Sequence, residues 1–364
     1  MNILHYINNL GAGGAEKLLT DILPEMKKQD NKVYVLIANS NKNFEKYEEL
    51  LASSEIEIIN LNTSFYNPFQ IFKIASIIKK KNINIVHAHL FPTQYWLAFA
   101  SLFISKKVKL IKTEHSVVNA RKDIRILKYL EKWIYSRYAT TIAITEKAEN
   151  NLKDWIGESS PIVVINNGVN LNQIQNEIKK GTTIKLDNTR YNILMVGRFD
   201  GHSKDQMSLI KALEYLPDDV SIYFAGAGPA FEETKLIVED LGFSNQINFL
   251  GLRQDVYAIM NSVDLNVLST IREGLSGVAL ESLSSGKPFI GSDVQGVQDV
   301  VPSADFLFQP KNPKALAAKI VALKNDSNLS KEMVNISLAY VKKYDTSIMV
   351  SKYLAIYQEM LVKS

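Results

Sequence analysis

Two carboxylates, Glu273 and Glu281, stand in the stretch TIREGLSGVALESLSSGKPFIGSDVQGVQD from Thr270 to Asp299. The apolar run Leu265 to Leu268 just before it reads as a buried strand. Gly274-Leu275-Ser276-Gly277 then supplies a turn whose amides can face an anion, and a helix starts near Ser276 or Gly277. The first N–H groups of a helix are unpaired and lie at the positive end of its dipole, which suits a phosphate. Glu273 precedes that end and Glu281 lies about one turn inside it. At ~1.5 Å per residue the two are at most roughly 12 Å apart, the reach from a sugar past a diphosphate to a ribose. Spacing alone also allows a plain helix-start Glu beside a solvated Glu further along.

Cations for such an anion lie upstream. The apolar run Ile193 to Val196 is followed by Gly197-Arg198-Phe199 and then Lys204. Fixed cations of this kind stabilise negative charge on a bound anion. Arg253 and Asp255 follow another apolar run, Ile247 to Gly251. The turn from Tyr223 to Pro229 carries Gly226 and Gly228, which let backbone pass close to a ligand.

Near the N-terminus, Gly11-Ala12-Gly13-Gly14 opens a helix after the apolar run Ile3 to Ile7. Glu16 rules out the G-x-G-x-x-G dinucleotide fingerprint, and the Lys-Ser/Thr of a P-loop is missing. A plain tight turn remains open. His87 and His89 fall on one side of an extended chain. A third ligand is not apparent beside them, so no metal is expected. His115 ends the run Thr113-Glu114-His115, a strand end where a histidine can cap backbone.

Strands and helices alternate throughout, which argues for parallel βαβ units. The first half offers strands at Ile3–Ile7, Val33–Ala38, Ile56–Leu61, Ile83–His87, Leu110–Thr113, Thr141–Ile144 and Ile162–Ile165. Helical patterns lie between them at Ala15–Lys28, Phe69–Lys81, Gln94–Ile104, Ile124–Tyr138 and Glu146–Ile156. The expected organisation is a first domain over 1–172, a polar linker or edge helix over 173–190, a second domain over 191–345 and a last helix over 346–364.

Composition excludes several classes. The 364 residues are 46% apolar, enough for two cores, and none is cysteine, so neither disulfides nor thiolate chemistry is available. MNILHYINN lacks the basic start of a signal peptide, and the most lipid-like run, Tyr95 to Ile104, is half of a membrane span. The expected location is cytoplasmic. The net charge of +4 hides an asymmetry. Residues 71–138 hold 11 Lys and 3 Arg against Glu114, Asp123 and Glu131, whereas residues 191–345 hold 14 basic and 19 acidic side chains. The basic residues interleave with Trp96, Phe99, Phe103, Tyr129, Trp133 and Tyr135, a mixture that suits an anionic membrane surface better than nucleic acid. A solvated basic face over core aromatics is the plain alternative.

The run Ser269, Glu273-Gly274, Glu281-Ser282, Gly286, Pro288, Phe289-Ile290, Gly296 and Asp299 resembles the E-x7-E signature of the retaining glycosyltransferases of family 4. Ser282 and Asp299 depart from the usual Ala and Glu. The Gly-Gly-Ala-Glu loop at Gly13 to Glu16, the His-x-His pair, Asn167-Gly168-Val169, Arg198, Lys204, Gly228-Pro229 and Arg253 are similar to further family elements. The loop GRFDGHSKD is an unusual filling between Arg198 and Lys204.

The resemblance implies an α/β protein of GT-B fold, two Rossmann-like domains facing each other across a cleft, with the last helix crossing back to the first. It implies that His115 and Glu273 lie at the reaction centre. It puts Gly14, Arg198, Lys204, Arg253, Gly274, Leu275, Ser276, Gly277 and Glu281 on the donor, Arg198 and Lys204 at the diphosphate and Glu281 at the ribose. Gly13, Glu16 and His89 fall on the acceptor side. The implied activity is retaining, metal-independent sugar transfer from a nucleoside-diphosphate sugar, a UDP-sugar favoured, with no resident cofactor. The implied acceptor is a saccharide, in the basic aromatic setting one linked to polyprenyl diphosphate, in cell-surface polysaccharide assembly. Alternatives are a sugar-nucleotide epimerase on the same fold and a non-catalytic nucleotide or polyanion binder.

Overall fold

A computed structural model of the chain describes residues 1–11, 13–115, 127–157 and 159–362. Met1–Gly168 together with Thr346–Ser364 form one compact unit, and Val169–Asp345 form a second. The chain passes between them twice, and the two passages are tied on the second unit's side. There the Val169 N–H donates to the Tyr344 carbonyl at 2.8 Å.

In the first unit the alternation gives β1 (Asn2–Ile7), α1 (Gly14–Lys27), β2 (Lys32–Ile37), α2 (Glu45–Ser53), β3 (Glu57–Asn60) and α3 (Gln70–Lys80). Then come β4 (Ile85–His89), α4 (Thr93–Ala100), β5 (Lys109–Glu114), α5 (Leu127–Ser136), β6 (Thr140–Ala143), α6 (Glu146–Ile156) and β7 (Ile162–Val164). The second unit follows with α7 (Leu171–Lys180), β8 (Tyr191–Val196), α8 (Gln206–Ala212), β9 (Val220–Ala225), α9 (Phe231–Asp240), β10 (Ile247–Gly251) and α10 (Val256–Ser262). It continues with β11 (Leu265–Leu268), α11 (Gly277–Leu283), β12 (Phe289–Ser292), α12 (Gln295–Gln298), β13 (Leu307–Phe308), α13 (Pro313–Asn325) and α14 (Ser327–Tyr340). The last helix, α15 (Thr346–Val362), belongs to the first unit.

Both sheets are parallel, in the orders β3-β2-β1-β4-β5-β6-β7 and β10-β9-β8-β11-β12-β13. Parallel strands are covered on both faces, which is why β4 and β11 are buried at every position. In the first unit α1 and α15 cover one face, with Met349, Val350, Tyr353, Leu354 and Tyr357 of α15 in the core. The other face is covered by α3 to α6, through residues such as Ile74, Leu97, Ile134 and Leu152.

In each order the unit's first strand lies in the middle, β1 beside β4 and β8 beside β11. Connections leave these neighbours in opposite directions, and the crevice at their C-terminal ends is where ligands bind in open α/β sheets. The sequence motifs fall at these ends, after β1, β4, β5, β8 and β11.

One element differs from the sequence reading. Helix α2 was not expected, because Leu51 is its only buried residue among those described and the periodic signal is thin. The polar stretch over 173–190, read as a linker or edge helix, contains most of α7, capped by the Asn170 side chain and anchored by the buried Ile174. Of the helix expected over Ile124–Tyr138, the first three positions lie outside the described residues.

All three tryptophans, Trp96, Trp133 and Trp155, lie in the first unit, so their fluorescence follows its unfolding alone. Leu354 of α15 is buried in that unit's core. Leu354→Ala should destabilise the tryptophan-monitored urea transition by about 2–5 kcal/mol with the slope unchanged. A midpoint equal to the wild type would show that α15 contributes nothing to this core.

Candidate functional site

The loops after β8 and β11 are joined to each other. Lys204 pairs with Thr270 in an antiparallel bridge, and the Ser203 carbonyl accepts from both the Thr270 hydroxyl and the Ile271 N–H at 2.8 Å. On this backbone tie the Lys204 ammonium contacts a carboxylate oxygen of Glu273. The two side chains are only 14% and 15% exposed. Arg198 stands free at the surface beside them in sequence, and among the described residues no ion pair involves it.

Asp200, the odd residue of the GRFDGHSKD loop, holds that loop in shape. Its Oδ1 accepts the backbone N–H groups of His202 at 3.0 Å, Ser203 at 2.8 Å and Lys204 at 3.3 Å. The Ser203 hydroxyl donates to its other oxygen. Burial pushes the carboxyl up, but the hydroxyl and the three N–H groups outweigh it and hold the group well below the usual carboxylate range.

Glycines set the approach of neighbouring loops. A Cβ on Gly226, at φ 151°, would lie 2.0 Å from the Gly197 carbonyl oxygen, and one on Gly228 would lie 2.2 Å from that of Phe199. A Cβ on Gly296 would lie 2.5 Å from the Gly274 oxygen and 2.7 Å from the Glu273 Cβ. The Ser276 N–H donates to the Gly296 carbonyl at 3.0 Å, so this contact fixes the Glu273 loop from the far side. Leu275 is buried beneath the loop, and the Ser276 hydroxyl caps α11 by accepting from the Ala279 N–H at 3.3 Å. Gly277 has no neighbour within 4 Å of its missing Cβ.

Glu281 is buried on α11 and accepts from the Tyr257 hydroxyl at 3.0 Å. Arg253 forks onto Asp255 at 2.9 and 2.8 Å and donates to the Thr183 hydroxyl at 2.8 Å. Its guanidinium therefore ties the 182–183 segment to α10, a structural engagement that sequence spacing did not reveal.

In the first unit Gly13 caps α1, Gly14 is its first residue, and Glu16 lies in its first turn. A Cβ on Gly13 would lie 2.3 Å from a Glu16 carboxylate oxygen, so that side chain curls back over the helix start. Burial raises the Glu16 pKa, and its own backbone N–H opposes the rise. Position 12 lies outside the described residues.

The histidines converge more than the sequence implied. His5 in β1 pairs in register with His87 in β4, which puts a third imidazole beside the His-x-His pair. His5 Nδ1 lies 3.0 Å from His89 Nε2, and His89 Nδ1 lies 3.1 Å from His115 Nε2. His87 turns elsewhere, to the Tyr357 hydroxyl at 2.5 Å and the Thr113 hydroxyl at 2.7 Å. One ligand atom from each of His5, His87 and His89 lies within 4.8 Å of the others. Their rings stack, His87 on His89 at 4.3 Å and 27°, so the nitrogens face hydrogen-bond partners more than one shared centre.

Against this geometry, a family model described as Glycosyltransferase Family 4 matches residues 12–173, and one described as Glycosyl transferases group 1 matches residues 161–338. The chain belongs to these glycosyltransferases. Campylobacter jejuni GalNAc-alpha-(1->4)-GalNAc-alpha-(1->3)-diNAcBac-PP-undecaprenol alpha-1,4-N-acetyl-D-galactosaminyltransferase is 23% identical over 371 residues, 99% of each chain. Bacillus anthracis N-acetyl-alpha-D-glucosaminyl L-malate synthase is 19% identical over 367 residues, 96% of this chain and 94% of its own. The crystal structure of Anabaena Alr3699/HepE in complex with UDP and glucose superposes with a TM-score of 0.82 at 20% identity, covering 99% of this chain and 100% of that one. That likeness is one of fold, the GT-B architecture.

In this glycosyltransferase the structure brings Lys204, Glu273, Gly274, Leu275, Ser276 and Gly277 together at one strand-end crevice, with Arg198 on the same loop as Lys204. Gly13, Gly14 and Glu16 follow β1, while His89 and His115 join through their rings. His5 and Tyr257 are the residues that sequence reasoning missed. Asp200 yields a test of the loop. Its depressed carboxyl stabilises the fold above the unfolded value near 3.8, and that stabilisation is lost as pH falls through the lower folded value. The thermal midpoint of wild type should exceed that of Asp200→Asn by a constant gap between pH 7 and about 5.5, and the gap should narrow steadily from about pH 4 downward. A gap unchanged at about pH 3 would remove Asp200 as the loop's electrostatic anchor.

Proposed function

We propose that this glycosyltransferase is retaining and metal-independent, and moves a sugar from a UDP-sugar to a saccharide carried on polyprenyl diphosphate in cell-surface polysaccharide assembly. The observation that carries the reading is the Lys204–Glu273 pair at the β8/β11 crevice, with the exposed Arg198 on the same loop as Lys204. The sugar C1–O bond to phosphate breaks as C1 bonds to the acceptor oxygen on the same face. The acceptor proton leaves on the departing phosphate. Arg198 and Lys204 meet the charge that builds there, doing by fixed cations what a divalent metal does elsewhere. Glu273 accepts from sugar hydroxyls, Glu281 and its partner Tyr257 address the ribose, and His115 serves the reacting side. The UDP seen in the Anabaena structure and the undecaprenol-linked acceptor in the Campylobacter enzyme's name support these choices.

A panel of UDP, GDP, ADP and NAD, each with and without EDTA, tests the donor side. UDP at ~100 times its dissociation constant should add about 2.7 kcal/mol to stability, independent of EDTA. Glu273→Ala should keep the UDP shift and lose turnover. A UDP shift that vanishes with EDTA would overturn metal independence, and full turnover in Glu273→Ala would overturn the site assignment.

Exposed aromatics give the membrane reading its surface. Tyr66, Phe69, Phe72, Phe91, Phe103 and Tyr129 are exposed in the first unit, against Tyr215 alone in the second, among the described residues. Of the aromatics flagged from sequence, Tyr135 is buried, and Trp96, Phe99 and Trp133 pack against the core. Phe72 on α3 and Phe103 after α4 pack with ring centroids 5.1 Å apart and planes tilted by 54°, with exposed Lys79, Lys80, Lys106 and Lys107 on the same two segments. Rings and ammonium groups together suit the headgroup layer of an anionic bilayer. The protein should co-sediment with anionic liposomes and not with neutral ones, and Phe72→Ser with Phe103→Ser should weaken this. Equal recovery with both liposome types would defeat the membrane reading.

A further inference from the structure

We propose that His5, His89 and His115 form an unbranched imidazole chain that fixes His115 as a neutral ring with its proton on Nδ1, His5 and His89 acting as positioning residues. The three rings cross three adjacent strand ends, β1, β4 and β5. His5 and His89 are 0% and 1% exposed, while His115 is half-buried. Each link joins two ring nitrogens, at 3.0 and 3.1 Å, so one must carry a proton and the other a lone pair.

Three neutral rings hold one proton each, which leaves two arrangements. In the first, His5 Nδ1–H donates to His89 Nε2, His89 Nδ1–H donates to His115 Nε2, and the proton of His115 is on Nδ1. In the second every proton is reversed, and His5 must carry an N–H on Nε2. That atom is buried with no hydrogen-bond partner. A buried N–H without an acceptor is the rarer defect among backbone groups, and the same ordering selects the first arrangement here. Burial keeps the rings neutral, lowering His5 to about 3 and His115 to about 4, and His89 well below the ordinary imidazole value. His87 leaves the chain unbranched because its two nitrogens face hydroxyls, which adapt to either tautomer.

The chain turns His115 into a fixed donor. Its Nδ1 makes no hydrogen bond among the described residues. On the transfer reading proposed above, on which this step rests, that N–H donates to a sugar hydroxyl oxygen. It cannot also take the acceptor proton.

Histidine-labelled full-length protein tests this through two-bond proton–nitrogen correlations at pH 7, assigned with single-histidine variants. His5, His89 and His115 should each be protonated on Nδ1 alone. A proton on Nε2 of His5 or His115, or a doubly protonated ring, would overturn the chain. This readout needs no activity. His89→Gln keeps an N–H donor toward His115 and should retain its tautomer and most of kcat. His89→Leu should lose at least tenfold in kcat with KM changed less than twofold. Three Nδ1-protonated rings with full turnover in His89→Leu would leave the chain standing and overturn its role in transfer. A lost UDP shift would instead strike the donor reading.

Discussion

Two strand-end loops that belong to different βαβ units are tied by a peptide bridge, and an ion pair is hung on that bridge. The Lys204–Thr270 bridge and the shared Ser203 carbonyl set the backbones first. The Lys204 and Glu273 side chains then have little freedom left to lose. That ordering decides the energetics. A partly desolvated charge is costly alone, and removing one partner strands the other, so each side chain keeps its neighbour in place. Gly296 presses on Glu273 from the opposite side with a clearance that admits no Cβ. The loops are preorganised before any anion arrives, which is the condition for fixed charges to stabilise a transition state.

The first unit solves a different problem with different chemistry. Apart from the buried Lys112–Glu114 pair of β5, its strand-end polar groups include neutral imidazoles, hydroxyls and the Glu16 carboxyl whose pKa burial raises. The Glu16 side chain lies over the start of α1, where an anion would otherwise gather. A surface that receives an uncharged hydroxyl needs oriented donors and acceptors, and fixed cations there would only attract competing phosphate. On the proposed reading the division of labour follows from where charge develops.

Much of this was legible in the sequence because parallel strands are nearly continuous apolar runs, and the motifs come directly after them. The run Leu265 to Leu268 and the segment from Glu273 to Gly286 needed no structure to be placed at a strand end. His5 was not legible as a partner of His89, because that contact joins residues 84 apart and depends on β1 lying beside β4. The pairing of Arg253 with Thr183 spans 70 residues and hid for the same reason. Helix α2 escaped because a helix with one buried side chain shows almost no period. The loop GRFDGHSKD looked like an irregularity, yet Asp200 supplies the local acceptor that a longer gap before Lys204 requires.

The engagement of the two carboxylates bears on stereochemistry. A double displacement needs a carboxylate free to attack the sugar carbon, held against one bond with a second group to manage the proton. Glu273 is held by Lys204, which lowers the electron density it can offer to carbon. Glu281 is buried against the Tyr257 hydroxyl in the second turn of α11. Neither is presented as a nucleophile. Both are suited to accept hydrogen bonds from hydroxyls, and the cations are suited to draw off the phosphate. On the proposed reading, retention then requires the acceptor to enter on the face the phosphate leaves. The leaving oxygen is the nearest base for its proton, and a neutral His115 does not compete for it.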